Sequence, residues 1–119
     1  MSDEKQTTIT TDADLITLIN VFTCPEVRQH ELLEALDRAT AETFTHLEGF
    51  VSASLHASLD RTRVVNYVQW RSVADFDAAG IRPDVQKHFT EIMAIAESAD
   101  PRLFQVRSVR PAEAENDQA

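Results

Sequence analysis

An α+β fold, with helices on one face of an antiparallel sheet, is predicted by three observations on this 119-residue chain. Apolar runs of strand-like and helix-like spacing follow one another as strand, helix, strand, strand, broken helix, strand, which is the ferredoxin-like order. Two of the strand runs flank a short polar turn, Leu59-Asp60-Arg61-Thr62, as the arms of a hairpin do. The length is that of a single domain with room for a real core.

The first strand is expected from Leu15 to Phe22, a β-rich run free of Gly and Pro. Pro25 followed by Glu26 predicts the first turn of a helix that runs to about His46. Leu33, Leu36, Thr40, Phe44 and Leu47 give that helix one mostly apolar stripe, and Gly49 ends it. Phe50 to Ser58 and Arg63 to Trp70 are the hairpin strands. Ser72, three residues before Asp75, predicts the cap of a short helix that ends near Gly80. After Pro83, the residues Val85, Phe89, Ile92 and Ala96 mark another helical face, and Pro101 precedes a final strand from Arg102 to Val109. The folded domain is thus expected over 15–110. Residues 1–14 and 111–119 lack apolar periodicity and are expected to be mobile tails.

The formal charge is −9, of which residues 1–14 and 111–119 each carry −3, leaving −3 for the domain. Without a basic run, a nucleic-acid or anionic-membrane partner is not expected. The apolar runs are too short to span a bilayer and the N-terminus has no signal-peptide core, so a soluble cytoplasmic protein is expected. Cys24, the single cysteine, cannot form an internal disulfide, and its place before Pro25 suggests a structural role. No pair among the 4 histidines has metal spacing, and Gly49 and Gly80 alone cannot build a nucleotide or flavin loop. No metal and no cofactor is expected.

Helices on one side leave the other face of the sheet open, yet the first strand is apolar on both faces. Ile16, Leu18 and Phe22 share parity with Asn20, while Leu15, Ile19 and Val21 take the other side. Val51, Ala53, Leu55, Val65 and Tyr67 extend the same pattern. A second copy of the chain is the simplest cover, which predicts a homodimer packed sheet to sheet.

Asn66, Val68 and Trp70 alternate with Val65, Tyr67 and Gln69, so the amide and the indole share one face of their strand. Asparagine is depleted in strands, and a buried carboxamide is costly unless its polar atoms find partners. Either neighbouring side chains or water satisfy it and Trp70 fills core, or both groups face a small-molecule pocket.

The segments Gly49-Phe50-Val51-Ser52-Ala53, His56-Ala57-Ser58 and Val64-Val65-Asn66-Tyr67-Val68-Gln69-Trp70 resemble the antibiotic biosynthesis monooxygenase family over roughly residues 15–110. The similarity is nearest to its cofactor-independent enzymes of aromatic polyketide pathways, which oxidise anthrones to quinones. The resemblance implies a dimeric α+β barrel of ferredoxin-like subunits, molecular oxygen as co-substrate, and no cofactor. It makes Asn66 and Trp70 the central catalytic pair, with Asn20 a second amide on the first strand and His56 a proton-shuttling pocket histidine. Val68, Phe76, His88 and Phe89 are the expected substrate contacts. Some family members carry a tyrosine where this chain has Phe76. Others carry an arginine on the helix after Pro83, where Lys87, His88 and Phe89 stand here. Stabilisation by amide and indole is therefore expected rather than proton delivery by tyrosine.

The register of the hairpin decides His56. A two-residue loop pairs it with Val65 and turns it away from Asn66, whereas a three-residue loop puts both on one face. Two other functions remain open. Haem degradation on this fold uses an asparagine on the first strand and a tryptophan and a histidine in the helical segment after the third. Asn20 and His88 fit two of these parts, but the only tryptophan ends a strand. A dimer that binds aromatic ligands without catalysis is the other, since one fold hosts many functions.

Overall fold

The computed structural model describes residues 5–11 and 14–114; the remainder of the two expected tails lies outside the described residues. The elements are β1 (Ile16–Thr23), α1 (Gln29–Glu42), β2 (Phe50–Ala57), β3 (Arg63–Trp70), α2 (Val73–Gly80), α3 (Pro83–Met93) and β4 (Ser98–Phe104). The strands form one antiparallel sheet in the order β2-β3-β1-β4. The ferredoxin-like order therefore holds. Among the described residues no helix is long and apolar enough to cross a membrane.

Local chemistry accounts for the boundaries. The Ser72 hydroxyl accepts a hydrogen bond from the Asp75 backbone N–H at 3.0 Å and caps α2, while Pro83 opens α3, where a missing N–H costs nothing. Gly49 adopts φ +85°, and a Cβ there would fall on the Asp75 side chain, so position 49 admits only glycine. Arg61 takes φ 68° in the β2–β3 turn, a strained choice for a non-glycine residue. Asp60 braces that turn by accepting from the Thr62 N–H and from the hydroxyls of Thr62 and Ser58.

Two elements differ from expectation by more than a residue. The helix expected from Pro25 to His46 is α-helical only over Gln29–Glu42, with 3₁₀ turns at Glu26–Arg28 and Phe44–His46. Thr43, at φ −125° and ψ −59°, leaves helical geometry between the last two. The buried stripe of α1 is Leu32, Ala35, Leu36 and Ala39, because close packing on the sheet selects small residues that an apolar count undervalues. The last strand lies at Ser98–Phe104 rather than 102–109, with Pro101 inside it opposite Asn20. An edge strand can carry a proline, since half of its N–H groups have no ladder partner.

The inner face of the sheet is buried in two clusters. Phe22, Leu32, Leu36, Val64 and Ile92 pack at one end, while Val68, Trp70 and Ala79 form the other with half-buried Phe44, Phe50 and Phe76. Cys24 is buried in the first cluster, which with a glutamate, Glu97, nearby pushes its thiol pKa up, as befits a structural residue.

Candidate active site

The register fixes which side chains meet. Asn20 on β1 lies directly opposite Asn66 on β3, Leu18 opposite Val68, and Ile16 opposite Trp70. Asn66, Val68 and Trp70 therefore share the inner face, as the alternation predicts. Above them, α1, α2 and α3 enclose a cavity of about 490 Å³, within the size range of small-molecule sites. Its floor is Leu18, Asn20, Asn66, Val68 and Trp70; Phe44, Phe50 and Phe76 line the indole end, and Val85, His88 and Phe89 of α3 contribute to the roof.

Seven of the eight predicted site residues meet at this cavity: Asn20, Asn66, Val68, Trp70, Phe76, His88 and Phe89. His56 does not. It pairs with Val65 and points from the exposed outer face of the sheet, so the expectation of a pocket histidine at this position is corrected. The reason is the turn: Ser58 pairs with Arg63 around a four-residue loop, and that even register puts His56 on the side away from Asn66.

Trp70 is 1% exposed and meets Phe44, Phe50 and Phe76 edge to face, with ring centroids 6.4, 5.7 and 6.1 Å away. Its Nε1–H has no hydrogen-bond partner, and neither has Oδ1 of Asn66. Among the described residues these are the two buried side-chain polar atoms left unpaired. Each such group costs roughly 1–3 kcal/mol, a penalty relieved by a ligand that supplies the partner. They stand four residues apart on one strand, about 13 Å at 3.3 Å per residue, a span on the scale of several fused rings. Asn20 differs, because its Oδ1 accepts the Asp100 backbone N–H at 3.1 Å. That bond fixes which end of the amide is oxygen and leaves the NH₂ end as a donor.

His88 is the one titratable side chain among the described residues that line the cavity. Its Nε2 lies 2.9 Å from the hydroxyl of buried Thr43, which sets the ring plane; its Nδ1 is 3.8 Å from the Glu91 carboxylate, beyond a hydrogen bond. Thr43 carries no sequence signal of this role, since the bond joins the end of α1 to the middle of α3. The Phe50 contact with Trp70 was equally invisible. It depends on an irregularity between Phe50 and Ser52 that brings Phe50 opposite Trp70. Among the described residues no three His, Cys, Asp or Glu side chains are grouped to hold a metal ion.

The model of the antibiotic biosynthesis monooxygenase family matches residues 15–94. The chain is 48% identical over 82 residues to the tetracenomycin-F1 monooxygenase of Streptomyces glaucescens, a match covering 69% of this chain and 73% of the relative. The crystal structure of SnoaB, a cofactor-independent oxygenase from Streptomyces nogalater, superposes with a TM-score of 0.75 at 28% identity, covering 84% of this chain and 100% of that one. A monooxygenase from the gene ActVA-Orf6 of Streptomyces coelicolor, crystallised with nanaomycin D, gives a TM-score of 0.72 at 24% identity over 84% of this chain and 94% of its own, a likeness of fold.

Proposed function

This chain belongs to the antibiotic biosynthesis monooxygenase family and is a monooxygenase, and from that premise we propose that it oxidises a polycyclic aromatic polyketide of the anthrone type to the quinone with molecular oxygen and no cofactor. The observation that carries this proposal is the pair of unpartnered polar atoms, on Asn66 and Trp70, in the floor of an otherwise apolar cavity. The 48% identity to a tetracenomycin-F1 monooxygenase and the likeness to SnoaB support the substrate class and the absence of a cofactor.

The chemistry needs little from the protein beyond a base, donors and exclusion of water. Triplet dioxygen does not react readily with a closed-shell molecule, so the substrate must first be made electron-rich. His88 accepts a proton from the methylene carbon, and the enolate oxygen that forms receives N–H bonds from the NH₂ groups of Asn20 and Asn66, which stabilise it as an oxyanion hole does, while the open Oδ1 of Asn66 accepts from a phenolic hydroxyl of the substrate. The enolate passes one electron to dioxygen, and the carbon radical and superoxide combine in a C–O bond. The peroxide takes a proton, held in the interim on His88; the second methylene proton then leaves, the O–O bond breaks, and water departs as the carbonyl forms. Trp70 gives the ring system an apolar wall and one N–H. Phe76, Val68 and Phe89 hold it flat.

Oxygen uptake with a hydroxyanthrone tests the proposal directly. The wild type should consume one O₂ per quinone formed in the presence of a chelator. Asn66→Ala should lower kcat roughly tenfold to a thousandfold, the scale of one oxyanion donor, and His88→Gln should also lower kcat. Uptake that vanishes on chelation, or that is untouched by both substitutions, would refute it.

The assembly belongs to the same proposal. On the outer sheet face Ile19, Val21, Val65 and Tyr67 are only half-buried, and a second copy covering them gives the sheet-to-sheet homodimer. Light scattering should give twice the monomer mass of 13.4 kDa at micromolar concentration; a monomer there would contradict the assembly. We place the reaction in the cytoplasm.

A further inference from the structure

The segment before β1 is not free of the domain. Gln69 points to the outer face and is 2% exposed. Its Oε1 accepts from the hydroxyls of Thr7 at 2.7 Å and Ser52 at 2.8 Å, and its Nε2 donates to the Thr8 carbonyl at 2.8 Å. A buried amide satisfied at both ends holds the segment on the sheet. From there the chain reaches the β2 edge, where Lys5 and Thr7 line a second, smaller chamber of about 270 Å³ with Thr40, Thr45 and Ser54. Thr40, Phe50 and Ala53 line both this chamber and the main cavity, so the two adjoin across them.

The two compartments differ in chemistry. No Lys, Arg, Asp or Glu lines the main cavity, so a permanently ionised substituent buried there would have no fixed counter-charge. In the side chamber Thr40 and Thr45 donate their protons to the carbonyls of Leu36 and Ala41, which leaves their oxygens as acceptors. Lys5 is the one charged residue at its wall, and it makes no ion pair with a described residue.

We propose that this chamber, walled by the N-terminal segment, receives the acidic end of the polycyclic substrate, with the Lys5 ammonium as counter-charge to a carboxylate and Thr40 and Thr45 accepting from phenolic hydroxyls. This rests on the aromatic-substrate proposal above and adds that the substrate carries an ionised substituent. The chamber adjoins the cavity beside Ala53, opposite Val68, and beside Phe50, opposite Trp70. The reacting carbon then lies toward Asn20 and Asn66 while the acid lies toward the β2 edge.

Binding tests this without turnover, because Trp70 is the only tryptophan of the chain and lies in the cavity. The probes are a dihydroxyanthraquinone carboxylic acid and its methyl ester, titrated against tryptophan fluorescence. The wild type should bind the acid more tightly than the ester. Lys5→Gln, at an exposed position, should weaken the acid about threefold to fivefold, the range of a partly exposed ion pair, and leave the ester unchanged. An acid-to-ester ratio equal in wild type and variant overturns the proposal, as does quenching by neither probe. Failure of the oxygenase proposal shows separately, as tight quenching without oxygen uptake from the hydroxyanthrone.

Discussion

The inner face of the sheet is solid at one end and hollow at the other, and the boundary runs through the two asparagines. Beyond Asn20 and Asn66 on one side, Leu32 and Val64 are sealed in a cluster with Phe22, Leu36 and Ile92, which also close that end of the cavity. On the other side Leu18, Val68 and Trp70 face open space roofed by α3. Both unpartnered polar atoms lie at the boundary or within the hollow half. The solid half has its polar groups paired: the buried Gln29 amide donates to the carbonyls of Ser58 at 3.0 Å and Arg63 at 2.9 Å. An apolar half that satisfies itself provides stability, and a half that leaves one donor and one acceptor open provides a place for a ligand.

The comparison predicts a division of effects, and the largest belongs to the solid half. Leu32 is 0% exposed and is not among the residues lining the main cavity, so Leu32→Ala leaves a void in the packed cluster. It should cost about 2–5 kcal/mol of stability while oxygen uptake per folded molecule stays near the wild-type value. Denaturant melts together with oxygen consumption normalised to folded protein check both halves of that statement. A variant that melts normally but turns over slowly would erase the distinction between the two regions.

The solid half and the floor were legible in the sequence for the same reason: strand alternation and helical spacing are local. Asn66, Val68 and Trp70 share a face whatever the tertiary structure, and the Ser72 cap needs only Asp75 three residues on. What the sequence hid depends on register or on contacts between distant elements. His56 was misplaced because the turn length, not the strand pattern, chooses its face. The extent of β4 was missed because Pro101 reads as a boundary until the strand is known to be at the edge. Thr43 beside His88 and Thr7 beside Gln69 join residues 45 and 62 positions apart, beyond any periodicity.

A smaller effect sharpens the hollow half. Trp70→Phe removes an N–H that has no protein partner, so the folded state loses a desolvation penalty along with part of three edge-to-face contacts. Melting should shift less than for Leu32→Ala. Turnover of a hydroxyanthrone should drop about tenfold, the worth of one hydrogen bond of roughly 1.4 kcal/mol. Equal losses of stability in the two variants, with turnover per folded molecule intact in both, would make Trp70 core and return the indole to the solid half.

The smallest effect concerns the turn that closes the solid end. Thr62 O accepts from the Cys24 N–H at 3.0 Å, and Gln29 ties the first turn of α1 to Ser58 and Arg63. Asp60 sits at the centre of that turn, and hydrogen bonds from the Thr62 backbone, the Thr62 hydroxyl and the Ser58 hydroxyl lower its pKa from 3.8 to about 2. A pKa depressed in the folded state means stability that is present in full above the unfolded value and is lost as the pH falls through the folded one. Asp60→Asn keeps an oxygen acceptor but does not titrate. The melting temperature of the wild type should therefore exceed that of Asp60→Asn at pH 5 to 7, and the gap should close as the pH falls from about 4 to about 2. Carboxylates common to both proteins cancel in the difference. Fluorescence titration with an aromatic ligand at neutral pH should be unaltered by the substitution, because the turn braces the solid end and touches no wall of the cavity. A gap that is constant with pH would mean that the hydroxyl and amide bonds to Asp60 hold its charge no more firmly in the fold than water does in the unfolded chain.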